Sequence, residues 1–183
     1  MLRPMRISNI GYEDVSDAIS KVISRNLKNK NVIFACIRTD RSTGDSLGPL
    51  VGTYLERAGF TNVIGTIENP LHAMNLEDRL RDVDKRKTVI AIDCSLGDVH
   101  KIETFSVYKG HISPGAGVGK TLSPVGDYSI SGCVNVAGMM EYFVLQNTRL
   151  HVVMKMADTI ANGLIHRFRN EKKKSKKKLL VSQ

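Results

Sequence analysis

The run Thr88-Val89-Ile90-Ala91-Ile92-Asp93 limits what this chain can fold into more than any other stretch. A short β-branched apolar run without polar alternation marks a strand covered on both faces, the unit of parallel sheets. Residues 31–37 (Asn-Val-Ile-Phe-Ala-Cys-Ile) form a second run of this kind, and residues 62–67 a third. Residues 102–109 alternate like a half-exposed strand. Helical spacing fills the intervals. Val15, Ala18, Ile19, Val22, Ile23 and Leu27 fall on one face of residues 13–28. Asp45 to Ala58 reads as a helix stopped by Gly59. Residues 72–83, 132–147 and 149–168 also have helical spacing, whereas residues 1–12 and 110–131 read as irregular. Strands alternating with helices predict an α/β fold, with a mostly parallel sheet and helices on both faces. The expected organisation is one domain over residues 1–170, with a lysine-rich tail over 171–183.

Charge and cysteine content narrow the function classes. The formal net charge is +9, but six lysines between Lys172 and Lys178 carry most of it, leaving +3 for the rest. Such a run is a solvated tail or a weak, salt-dependent contact for nucleic acid. Cys36, Cys94 and Cys133 are odd in number, widely spaced and without a C-x-x-C pair. They predict reduced thiols in a cytoplasmic protein and no zinc site. No apolar run approaches the ~20 residues needed to span a bilayer, and Met1 opens a polar stretch without a signal-peptide core. The expectation is therefore a protein neither secreted nor membrane-spanning.

In doubly wound sheets, ligand-facing residues lie at the carboxyl ends of strands. Asp93 closes one strand run, and Asp45 follows another at the start of a helix. Taken singly, Asp45 reads as a helix N-cap and Asp93 as a turn residue. Together they hold equivalent positions and form a candidate catalytic pair. Two close carboxylates resist joint ionisation, so one holds a proton while the other acts as a base. Such a pair can activate water and protonate a leaving group, or alternatively hold a divalent ion. Asp40 and Asp98 read as solvated loop residues. His72 and His111 fall in segments expected to reach the same edge and join the candidates as substrate-binding residues. Ser113, Gly115 and Gly117, from the glycine-rich loop, join them on the same footing. That loop ends in Gly119-Lys120-Thr121 but has Pro114 where a P-loop needs glycine, so a phosphate loop is not expected. No Gly-x-Ser-x-Gly elbow supports a serine triad.

Three segments carry a family resemblance. They are residues 39–52 (Thr-Asp-Arg-Ser-Thr-Gly-Asp-Ser-Leu-Gly-Pro-Leu-Val-Gly), residues 69–76 (Asn-Pro-Leu-His-Ala-Met-Asn-Leu) and Ile92-Asp93-Cys94-Ser95-Leu96-Gly97. They resemble the YyaC-type sporulation proteins of spore-forming bacteria over about residues 30 to 165. Asp45-Ser46-Leu47-Gly48-Pro49 is also similar to the Asp-Ala-Leu-Gly-Pro segment of the spore germination protease, which degrades small acid-soluble spore proteins. The resemblance implies that Asp45 and Asp93 match that enzyme's active-site aspartates. It implies a three-layer, phosphorylase/hydrolase-like sandwich shared with hydrogenase-maturation endopeptidases, which sense nickel through acidic residues at similar strand ends. The function it implies is a sporulation-associated aspartate-type endopeptidase without a cofactor, acting on a protein or peptide in the forespore or mother-cell cytoplasm. A metal-sensing protein using Asp45, Asp93 and His111, or a non-catalytic binding protein, are the alternatives. The germination protease is much longer, and its His next to the glycine run is Ser113 here, with His111 two residues earlier.

Overall fold

The computed structural model describes residues 4–7, 11–114 and 123–169. Gly115, Gly117 and the lysine-rich tail lie outside the described residues. Six strands form one mixed sheet: β1 (Met5–Arg6), β2 (Val32–Cys36), β3 (Val63–Ile64), β4 (Thr88–Gly97), β5 (Thr104–Lys109) and β6 (Tyr128–Val136). Their order is β1-β5-β6-β4-β2-β3. Strands β3, β2, β4 and β6 run parallel, and β5 is antiparallel to β6 and β1.

The two faces are unequally covered. Phe34, Cys36, Ile90 and Ile92 project to the face packed by the helices α1 (Tyr12–Val22), α2 (Leu47–Arg57) and α5 (Leu150–Arg169). Val15 and Ile19 of α1 meet Met156, Ile160 and Leu164 of α5 in that layer, all with at most traces of exposure. Ala35 and Ala91, one residue out of phase, project to the other face. There the cover is Leu76 and Leu80 of the short helix α3 (Leu76–Arg81), with Leu71 and Val125 from loops. The expected sandwich is present, thick on one side and thin on the other.

Three segments differ from expectation. The spacing predicts loop and helix over residues 128–136, but they form β6, at the centre of the sheet between β4 and β5. Its small residues have a packing reason: a Cβ on Gly132 would come within 2.4 Å of the Leu47 side chain and 3.1 Å of Met156. The helix of that region, α4, is confined to Glu141–Gln146. In the lead-in, Met5–Arg6 pairs with β5. The described residues include no helix long and apolar enough to cross a membrane.

Candidate active site

Strand β2 ends at Cys36, whereas β4 continues to Gly97 alongside β6. Asp93 therefore lies within β4 rather than at its end, one register step beyond the last β2–β4 pair, Cys36 with Ile92. After β2 the chain crosses to β3 on one side; after β4 it proceeds to β5 and β6 on the other. The β2–β4 junction is thus the point where winding direction reverses, the usual place for a ligand crevice in open α/β sheets.

Arg38 stands at this step. Its backbone N–H donates to the Leu71 carbonyl at 2.7 Å, and the preceding Ile37 N–H donates to the Ile92 carbonyl at 2.8 Å. Its φ is 100°, a left-handed conformation that costs a non-glycine residue about 1–3 kcal/mol. Arg38 Nε donates to Asp93 Oδ1 at 2.9 Å, and Nη1 donates to Asp45 Oδ1 at 3.2 Å. The Cys94 N–H also donates to Asp93 Oδ1, at 2.8 Å, and the Cys94 Sγ–H donates to Asp45 Oδ1 at 3.5 Å. The side chains are 29% exposed for Arg38, 16% for Asp45 and 5% for Asp93, so the cluster is graded from open to closed.

Helix α2 fixes Asp45 in this arrangement. Gly44–Ser46 form a 3-10 turn leading into the helix, and no capping bond from a side chain is present at its start. The carboxylate of Asp45 faces Arg38 instead. The turn can sit against the strand end because Gly48 and Gly52 lie one helical turn apart on the inner face. A Cβ on Gly48 would stand 2.2 Å from the Ile37 carbonyl oxygen, and one on Gly52 would stand 2.0 Å from that of Gly65. The glycines let backbone meet backbone, which brings Asp45 within reach of the residue after Ile37.

The electrostatics follow from burial and company. Burial pushes the Asp93 carboxyl above the usual carboxylate range, against the pull of Arg38 and the Cys94 N–H. Burial opposes the charge on Arg38, but Asp93, Cys94 and Asp45 together outweigh it and keep the guanidinium firmly protonated. Burial first, and Asp93 second, raise the Cys94 thiol well above its ordinary value, so it is held as a thiol rather than a thiolate.

The three charged groups open into a cavity of about 320 Å³, whose wall includes Tyr108, Ser131 and Tyr142. His72 does not line it. His72 belongs to an adjacent hollow of about 410 Å³ with Asp40 and Arg41, where its Nδ1 accepts from the Met74 N–H. His111 and Ser113 are exposed and flank Ile112, which does line the cavity. Asp98 pairs with Lys101 in solvent, and Asp40 accepts from Thr39. Arg38 was not singled out from the sequence. Its only signal there is position: it is the first residue after the apolar run 31–37.

A divalent ion fits these residues poorly. Among the described residues no three metal-ligating side chains gather, and a guanidinium lies between the two carboxylates, holding one oxygen of each.

The fold is an α/β fold shared with a solved maturation protease. The structure superposes on the [NiFe] hydrogenase maturation protease HycI from Thermococcus kodakarensis KOD1 with a TM-score of 0.56, at 16% identity, covering 86% of this chain and 99% of the other. At that identity the likeness shows the fold alone. The chain belongs to the family described as "Protein of unknown function (DUF1256)", which matches residues 7–163. It is 47% identical over 165 residues to the "Uncharacterized protein YyaC" of Bacillus subtilis (strain 168), covering 85% of this chain and 80% of that protein.

Proposed function

We propose that this chain is a peptidase-type hydrolase acting on a polypeptide, with Asp45 and Asp93 as its acid–base pair. The observation that supports it best is the convergence of two carboxylates and one guanidinium on a single cavity at the β2–β4 crevice. Asp45, the more open carboxylate, takes a proton from a water that adds to the peptide carbonyl carbon. Arg38 has five N–H donors and commits two of them to the aspartates, so others can meet the oxyanion that forms. Asp93, whose burial favours the protonated form, gives its proton to the leaving nitrogen as the C–N bond breaks. Arg38 Nε and the Cys94 N–H both donate to Oδ1 of Asp93, so Oδ2 is the oxygen to carry that proton.

The resemblance of the Asp45–Pro49 segment points to small acid-soluble spore proteins as the substrate, in the cytoplasm of a spore-forming bacterium. His72, His111, Ser113 and the loop glycines Gly115 and Gly117 would then meet the polypeptide beyond the scissile bond. The lysine tail would add weak, salt-dependent contact with nucleic acid, separable by deleting residues 171–183. The test is incubation of the purified full chain with small acid-soluble spore proteins and mass spectrometry of the products. Discrete fragments are expected; an intact substrate after prolonged incubation would overturn the assignment of substrate.

A further inference from the structure

We infer that Arg38 is the built-in cation of this site: it stands where a divalent ion would bridge the two aspartates, and the site binds no such ion while Arg38 is in place. A bridging ion would need an oxygen from each carboxylate and a gap between them free of positive charge, because a cation beside the guanidinium is repelled. Arg38 Nε and Nη1 already hold Oδ1 of Asp93 at 2.9 Å and Oδ1 of Asp45 at 3.2 Å. A guanidinium meets carboxylates through a rigid fork of donors, so one residue can span both partners in a fixed geometry.

The backbone supports the same conclusion. Arg38 keeps a φ of 100°, where glycine would be relaxed. The Leu71 carbonyl and the end of β2 hold it there, and this turn aims the side chain across the end of β2 at Asp93. Strain of this kind persists where surrounding structure over-determines it, and it clusters at working sites. The two carboxylates are the partners that its side chain reaches through hydrogen bonds. The inference concerns charge and occupancy, so it stands or falls separately from peptide cleavage.

The experiment is calorimetric titration of Zn²⁺ into the full chain and into the variants D45N, R38G and R38G/D45N. Glycine suits the backbone at residue 38, so R38G should keep the fold, as read by circular dichroism. Wild type and D45N should bind Zn²⁺ alike, through surface histidines only. R38G should bind at least about tenfold more tightly than wild type, and R38G/D45N should lose the gain. Two results would overturn the inference. One is a wild-type Zn²⁺ site that weakens about tenfold or more in D45N, a comparison that needs no Arg38 variant. The other is a folded R38G with no gain in affinity.

Discussion

Asp84 and Asp93 each meet an arginine at 2.9 Å, and their carboxyl groups shift in opposite directions. Asp84 lies in the exposed turn between α3 and β4. Its hydrogen bonds with Arg86 lower its pKa to about 2. Asp93 has Arg38 and a backbone N–H, yet burial carries it upward. The same pair of groups is solvated in one place and shut away from water in the other. Burial decides which, because removing water penalises the charged form more than one shared cation restores. The exposed turn asks nothing of its surroundings, whereas the crevice depends on α2 lying against bare backbone.

The largest expected effect follows from that dependence. Gly48→Ala places a methyl group 2.2 Å from the Ile37 carbonyl oxygen, with no flexible side chain to give way. Helix α2 must move, and Asp45 with it. We expect a loss of about 3 kcal/mol in urea unfolding, together with loss of site function. Stability equal to wild type would mean that the close approach of α2 does not set the site.

A middle-sized effect concerns pH. The folded Asp93 holds its proton above the ordinary value of 3.8. Folded protein thus binds more protons than unfolded protein in the window starting at 3.8 and ending at the raised value. The contribution of Asp93 to stability is full below this window and is lost as pH rises through it. Asp93→Asn does not titrate, and Arg38 keeps Asp45 as partner. The melting temperature of the variant relative to wild type should therefore climb with pH across the window, on the order of a few degrees. A difference that is flat or falls with pH would mean that Arg38 outweighs burial.

The smallest effect is at the exposed turn. The lowered Asp84 has the opposite sign: its contribution is present above 3.8 and lost as pH falls towards 2. Water and salt screen it, so Asp84→Asn should leave the melting curve at pH 7 unchanged within error. A clear drop there would erase the contrast between the two regions.

The sequence made the strands with continuous apolar runs legible, since β2 and β4 are buried on both faces. The helices α2 and α5 were legible for a related reason, their apolar stripes. Strand β6 was not. Ser129, Ser131, Gly132 and Asn135 carry little hydrophobic signal, and Gly132 is small because Leu47 and Met156 press on it, a constraint visible only in three dimensions. For the same reason β4 was cut short at Asp93: its continuation to Gly97 is supported by β6. Asp45 and Asp93 were read from their places after apolar runs. Arg38 was missed because its role depends on a left-handed backbone and on a neighbouring strand, neither of which residue spacing encodes. His72 shows the converse: it lies close by in sequence pattern, but it turns into a separate hollow.

The most direct measurement is the rate of peptide-bond cleavage by wild type and by Asp45→Asn, followed by mass spectrometry on small acid-soluble spore proteins at neutral pH. The asparagine is nearly isosteric and cannot take a proton from water. Wild type is expected to cleave, and the variant to be slower by about 10² or more with its melting temperature preserved. Equal rates in the two proteins, or a folded wild type that cleaves nothing, would contradict Asp45 as the base of a peptidase.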